Sequence, residues 1–563
     1  MASEYSVPFE ATKLFHKILE TPSLQLPPEV NQYAQLIKLE GTDFPNIPIP
    51  WRLAESISSL KAFEASMLNV LLVRKYGQRA SEIRINTDHA SLFFMSIILT
   101  KIIDGDLKGV NNSIGYMTKV VPARDPYRSQ ATLYRQAATS IYRTKDNRFY
   151  HVHGSMNPEP TLTALGLPAD KDFSTFEEAA GFIGKRVAEF TAEELDTLMN
   201  DQYRQAGTIC WDKDEYKATG QGKASANSSL YELNYYPNQK QLASWWKSSL
   251  QTSMERPLAG LKVVDSTRVI AGPAISRGLA ELGASVMRIV GPQIPDMTVL
   301  HLDLHWGKWS ADCDLKTEEG RKQLRDLIME ADVFVDGYRP GVMAKYGFGK
   351  EDILRMCAER ERGIIYVRED CYGWHGPWQG RSGWQQISDA CCGVSLEFGR
   401  AMGNEEAVTP VFPNADYCTG VCGTAGVLNA LIKQAETGGS YSVDCALNYY
   451  SQWLVNTCGT YPPSLWQKLW TSHGKPTFRH WENMLVSIPR MMGILHQYNE
   501  KTLFNPVFFE ERETKAMGRL IRTVKPVLRF PNGEVRPGYQ VGARGNDFDK
   551  PRWPEDLMIE IVE

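Results

Sequence analysis

The chain has 563 residues, 43% of them hydrophobic and 23% charged, with a formal net charge of -4. That length exceeds one compact core and predicts about two to four domains of soluble globular composition. The balance of charge gives no basic surface for a nucleic-acid partner, and no run of about 18 apolar residues stands out to span a membrane. Ten cysteines lie without a framework. Cys391 and Cys392 are adjacent, and Cys418 and Cys422 are four apart without a second metal-type pair, so reduced thiols, a cytoplasmic protein and no metal site are expected. The start, "MASEYSVPFEATKLFHK", lacks the apolar core of a secretory leader, and the end, "MIEIVE", is not a peroxisomal or retention signal.

Residues 1–57 are proline-rich ("TPSLQLPPEV", "FPNIPIPWRL") and read as an extended or short-helical lead-in. From Ser58 to Val73 apolar residues recur at helical spacing, and "YGQRASEIRINTDHASLFFM" then gives a turn, an alternating strand and an apolar run. "YRTKDNRFYHVHG" reads as strand, turn, strand, with Asp146-Asn147 in the turn. Two helices follow, one capped by Thr175 with Glu178 three residues on, the other by Thr191 with Glu194 and stopped at Gly207. Residues 58–217 thus form one portion, and the stretch rich in Gly, Ser and Asn within 218–255 reads as a linker. Its cluster "YYPNQKQLASWWK" carries few basic residues and suits an interface better than base stacking. From 256 to 450 strands alternate with helices ("GLKVVDST", "AISRGLAELGA", "SVMRIVG", "TEEGRKQLRDLIMEA", "DVFVDGY", "GIIYVRED"). This predicts an α/β fold with a parallel sheet whose ligand lies beyond the strands' carboxyl ends. Residues 451–563 make a C-terminal helical region and tail. A weak internal repeat relates "FEASMLNVLLVRKYGQRASEIRINTDHASLFF" to "GTAGVLNALIKQAETGGSYSVDCALNYYSQW". It places the counterpart of Asp416 near Ser58, where no Asp stands.

The blocks "RPLAGLKVVDSTRVIAGPAISRGLAELGASVMRIVGP", "GKWSADCDLKTEEGRKQL", "ADVFVDGYRPGVMAKYGF", "GPWQGRSGWQQISDACCG" and "PNADYCTGVCGTAGVLNAL" resemble, in order and near spacing, the family III CoA-transferases of the CaiB/BaiF type. That superfamily also contains alpha-methylacyl-CoA racemases. The resemblance covers roughly residues 256–450. Residues 58–240 look like the family's latter part, so the chain reads as a partial copy followed by a fuller one. The resemblance implies a Rossmann-like CoA-binding domain plus a smaller α+β domain, intertwined, in a homodimer. It implies an acyl-CoA transferase acting on an acyl-CoA and a carboxylic acid, with the CoA thioester as substrate and no permanently bound cofactor. It matches Asp416 to the catalytic carboxylate, and Val269, Ile270, Ala271, Lys316, Gly337, Tyr338, Lys345, Tyr372 and Gly373 to positions that contact CoA or line its thioester. Two departures stand out. Trp384 occupies the place of the racemases' second acid/base, a histidine. Gly291-Pro292 replaces a basic residue after the second strand, for which Arg288 or Arg339 could substitute.

Taken alone, Asp416 would be a helix N-cap; with the other blocks in order it reads as a nucleophile. A carboxylate held at a helix start can attack a thioester, releasing CoA and splitting a hard exchange into easier steps. Backbone amides near Gly420 and Gly423, or in the Tyr372-Gly373 loop, are the expected oxyanion donors. His151 and His153 alternate on their strand and face one side, where packing is the simpler role. Trp384 reads as core packing or a wall against an acyl chain. An epimerase using Asp389 or His375 as second acid/base, a lyase, and a CoA-binding scaffold without turnover are the rival readings.

Overall fold

The computed structural model describes residues 5–103 and 120–563. The first departure from the sequence reading is the lead-in, which is folded. Helix α1 (Val7–Leu19) is capped by the Ser6 hydroxyl, which accepts from the Phe9 amide. It buries Ala11, Leu14, Phe15 and Ile18, the i, i+3, i+4, i+7 stripe of an amphipathic helix. Strand β1 (Ile37–Glu40) follows, then helix α2 (Leu53–Tyr76), which begins five residues before the expected start and stops at Gly77 in the left-handed region. By length and composition α2 is apolar enough to cross a membrane, which the scan for apolar runs missed. It lies buried within the fold as a core helix. Strand β2 (Ile83–Asn86) pairs in parallel with β1, and β3 (Lys101–Ile102) leads away toward the C-terminal region.

The smaller α+β unit forms as expected. Strands β4 (Ser140–Arg143), β5 (Phe149–Val152) and β6 (Gly207–Ile209) make an antiparallel sheet in that order. Asn147 takes the left-handed conformation in the β4–β5 turn, one that Asn tolerates better than most residues. Both expected capping boxes are present, Thr175 with Glu178 and Thr191 with Glu194.

The segment expected to be a linker contributes a strand. β7 (Glu232–Tyr236) forms the edge of the main sheet. The other members are β8 (Lys262–Ser266), β9 (Ser285–Val290), β10 (Lys308–Asp312), β11 (Val333–Asp336), β12 (Ile365–Asp370) and β13 (Ser440–Ala446). The order is β10-β9-β8-β11-β12-β13-β7, parallel throughout except for β7. Val263, Val286, Val333, Ile365 and Val443 are fully buried, because helices cover both faces of a parallel sheet. Helix α3 (Ala271–Glu281) joins β8 to β9, and helices α4 (Gln385–Cys391) and α5 (Asn414–Thr437) lie between β12 and β13. The chain winds outward in both directions from the β8–β11 pair. The carboxyl ends of those two strands therefore open a crevice, the place where such sheets bind ligands.

Two features interlock the portions. Strands β14 (Phe509–Thr514) and β15 (Arg519–Val524) form a sheet with β3, a strand from the far N-terminal side. Helices α2 and α5 pack on each other, and the Trp51 indole donates to the Val394 carbonyl at 3.1 Å. The tail returns to the main sheet, where Arg544 and Asp549 form a fully buried ion pair. Helix α6 (Met484–Asn499) completes the elements that surround the site.

Candidate active site

Asp416 is the third residue of α5, a 24-residue helix about 36 Å long. The N-cap is Pro413, and no side chain caps the helix. The simple capping role is therefore not what this carboxylate does. The residues on either side of it are anchored. The Asn414 amide donates to the Tyr450 hydroxyl at 2.6 Å, which lies 2.9 Å from the Ser56 hydroxyl of α2. The Tyr417 hydroxyl donates to Asp303 at 2.6 Å, and that carboxylate also accepts from Ser96 and Arg277. The first turn of α5 is thus fixed by groups from both portions of the chain. Asp416 itself has no hydrogen-bond partner among the described residues, and it faces a cavity of about 880 Å³.

Burial, and then the charge of Asp389, push the Asp416 carboxyl well above the usual carboxylate range. The amides of the first helical turn favour negative charge there, by about 0.3–1 kcal/mol, and so offset part of that cost. Asp389 is pushed up to about 8 by burial, even though it accepts from Gln385, so it is mostly neutral at pH 7. Glu369, at the end of β12, is raised by burial and then by Asp370, Asp416 and Asp336. A desolvated acidic cluster of this kind marks a functional cleft.

Val269 and Ile270 line the same cavity. Val269 has φ of 72°, a conformation that costs a β-branched residue on the order of 1–3 kcal/mol and is typical of functional sites. It directs the chain into Ala271, the first residue of α3, whose N-terminus faces the crevice. Across the switch point the Gly337 amide donates to the Ser266 carbonyl at 3.2 Å. A Cβ on Gly337 would stand 3.1 Å from Cβ of Thr267, so glycine lets the two strand ends approach. Tyr338 follows, with the Arg268 guanidinium over its ring at 5.3 Å. Arg339 has Arg268 and Arg204 as charged neighbours, a basic cluster suited to phosphates. Arg288 is not available for that purpose, since it is buried and paired with Asp296 at 2.5 Å.

Lys316 is exposed on a turn after β10 and Lys345 on a short 3-10 helix, Met343–Tyr346, after β11, and neither lines the cavity. Tyr372 and Gly373 also stand outside its lining. Tyr372 is fully buried, its hydroxyl donating to the Gly207 carbonyl at 3.4 Å, and the Gly373 amide donates to Asp370 at 2.8 Å. That amide is engaged, as are those of Gly420 and Gly423, which lie inside α5. The expected oxyanion donors are therefore not these. Gly420 and Gly423 serve packing instead: a Cβ on either would come within about 2.6 Å of Ala274 or Ile275 of α3.

Trp384 lines the cavity, half-buried, stacked on His153 at 5.0 Å with an interplanar angle of 3° and donating to Ser155 at 3.1 Å. His151 and His153 also line it, so their common face is toward the site. Nδ1 of His151 donates to the Val152 carbonyl at 2.8 Å, which leaves Nε2 as an acceptor. Burial lowers His151 to about 4 and His153 well below its usual value, so both are neutral at pH 7. His375 lies outside the cavity, paired with Glu232. Sequence reasoning missed Arg204, Arg268, Asp303, Tyr417 and Tyr450. Only Tyr417, beside Asp416, and Arg268, beside Val269, carried a positional hint.

A model of "CoA-transferase family III" matches residues 258–471. The chain is 50% identical over 567 residues to the acetyl-coenzyme A transferase nodX of Hypoxylon pulicicidum, covering 100% of this chain and 96% of the relative. An acyl-CoA transferase of Gibberella moniliformis is 29% identical, with 89% and 88% covered. The human succinyl-CoA:glutarate CoA-transferase is 31% identical over 36% of this chain and 48% of its own length. With the Rossmann-like sheet, the switch-point crevice and this full-length likeness, the chain belongs to CoA-transferase family III and is an acyl-CoA transferase.

Proposed function

We propose that the protein moves CoA between two carboxylic acids through a covalent intermediate on Asp416. The observation that carries this reading is a half-buried carboxylate with no hydrogen-bond partner among the described residues, at the start of α5 and facing a cavity that Val269 and Ile270 also line. CoA would lie along the crevice, its phosphates toward Arg204, Arg268 and Arg339 and its thioester toward Asp416. The Asp416 carboxylate attacks the thioester carbonyl, the C–S bond breaks, and the products are a mixed anhydride and CoA thiolate. The thiolate then attacks the Asp416 carbonyl of the anhydride, giving an aspartyl-CoA thioester and freeing the donor acid. The acceptor carboxylate attacks that thioester to form a second anhydride. CoA thiolate returns to the acceptor's carbonyl, leaving the new acyl-CoA and free Asp416.

Burial serves these steps in two ways. Asp416 is half-buried; once acyl-CoA fills the cavity, a carboxylate that loses its remaining water is a stronger nucleophile than a hydrated one, and displaced water cannot hydrolyse the anhydride. The cavity walls come from 97–101 and 130–156 of the first portion and from 269–302, 384–416 and 483–522 of the second. Both portions of the chain thus contribute walls to the site.

The test is incubation with a panel of acyl-CoAs, with and without free acids, followed by mass spectrometry. The name of the Hypoxylon relative makes acetyl-CoA the donor to try first. Acceptor-dependent exchange of CoA is expected. Turnover that proceeds equally without an acceptor acid would contradict the proposal.

A further inference from the structure

Resting on the transfer reading, we infer that the acid taken up beside Asp416 is bulky and largely apolar, with about ten carbons or more, rather than a short diacid. The volume comes first. At about 880 Å³ the cavity lies near the top of the roughly 300–1,000 Å³ range of small-molecule sites; it has to admit the thioester arm of CoA on the Val269–Ile270 side, so the wall away from that side decides what the acid can be.

The wall comes second. Helix α6 buries Ser487, Met491 and Leu495 on one side. On the adjacent side Met484, Ile488 and Met492, spaced i, i+4, i+8, are half-buried and line the cavity. A helix that turns an apolar stripe into a void rather than onto protein has a surface that only an apolar guest would desolvate. Ile97, Leu99 and Leu300 also line the cavity.

The lining is also pliable. Met156 and Met297 join Met484 and Met492 in the lining. Methionine's three rotatable bonds and polarisable sulfur suit an irregular apolar partner better than a small, rigidly bound one. Among the described residues the Lys and Arg side chains that reach the lining, Lys101 and Arg522, sit opposite each other on β3 and β15. Lys101 is exposed and Arg522 lies over the Phe509 ring at 4.5 Å, so they offer no desolvated clamp for a second carboxylate.

The experiment measures kcat/KM for transfer from an active CoA donor to acetate, succinate, octanoate and dodecanoate. Each buried methylene is expected to raise it roughly fourfold until the wall is covered, giving a gain of at least about 100-fold from acetate to dodecanoate. Ile488→Gln should shrink the long-to-short ratio at least about tenfold, with its melting temperature recorded to confirm folding. Calorimetric binding of dodecanoate to the wild type and to Ile488→Gln separates the two readings. If dodecanoate binds and Ile488→Gln weakens it while no acid accepts CoA, the transfer reading fails and the apolar site stands. If succinate outpaces dodecanoate, or the ratio ignores Ile488→Gln, the apolar assignment fails while transfer stands.

Discussion

Helices α2 and α5 invite comparison. Each is 24 residues long, each is followed by a glycine with positive φ and a strand, and each carries a carboxylate as its third residue. Counted from the helix start, the counterpart of Asp416 is Glu55, not the region of Ser58 to which the sequence repeat pointed. Burial raises both carboxyls. Their surroundings differ. Glu55 accepts from the Tyr5 hydroxyl at 2.6 Å and the Tyr461 hydroxyl at 3.1 Å, and the gap beside its helix start measures about 10 Å³, barely room for one water. Asp416 has no such partners and about 880 Å³ before it. A buried acid with satisfied oxygens holds a fold together; one with free oxygens and space is kept for chemistry.

The largest effect expected from this contrast is on turnover. Asp416→Asn should lower CoA transfer by at least about three powers of ten while binding of acyl-CoA persists, because the amide keeps the shape and loses the nucleophile. Glu55→Gln should stay within about threefold of the wild type. Equal losses in steady-state kinetics would erase the distinction between the helices.

The stability effects should run the other way. Glu55→Ala strands two tyrosine hydroxyls and opens a void, which should cost about 2–4 kcal/mol in urea unfolding. Asp416→Asn removes a half-buried acid with no side-chain partner among the described residues, and should be neutral or stabilising at pH 7.

A pH series sharpens the point. The folded pKa of Asp416 is raised, so the folded state holds its proton more tightly than the unfolded chain. The stability linked to this group is then fully present below the unfolded carboxylate pKa, about 3.9, and is lost as pH rises through the raised folded value. The gap between wild type and Asp416→Asn should widen in favour of the variant from pH 5 upward, while wild-type kcat/KM rises as Asp416 ionises. Parallel unfolding and rate profiles check both slopes, and a gap that narrows with pH would refute the assignment.

The smallest effect concerns proton transfer. Trp384, at the place of the racemases' second acid/base, is no acid or base at neutral pH, His151 and His153 are weak bases, and His375 lies outside the cavity. Loss of the alpha-proton signal of a (2R)-methylacyl-CoA in deuterated water should be at least about 100-fold slower than transfer. His375→Ala should not change it.

Much of this was legible in the sequence, and the limits follow from physics. Strand and helix periodicity gave the parallel sheet, the small unit and both capping boxes, because those signals are local. Motif order gave Val269, Ile270 and Asp416, which the structure brings to one cavity, but not the distance of Lys316, Lys345 and Tyr372 from it. The strand β7 was hidden because an edge strand needs little apolar alternation, and α1 because its stripe lies among prolines. Arg204, Asp303 and Tyr450 owe their places to contacts across long sequence separations, for which no local pattern exists. Glu55 was missed because a repeat aligned on apolar residues does not fix where each helix begins.

The central claim is that Asp416 forms bonds to both acids in turn, and an oxygen label tests it most directly. With ¹⁸O in the acceptor's carboxylate, attack on the aspartyl-CoA thioester places an acceptor oxygen in the bridging position of the anhydride, and release of the new acyl-CoA leaves that oxygen on Asp416. Peptide mass spectrometry after many turnovers should find ¹⁸O in the Asp416 side chain, dependent on both the CoA donor and the acid. Sustained turnover with Asp416 unlabelled, or with the label on another carboxylate, would contradict the account.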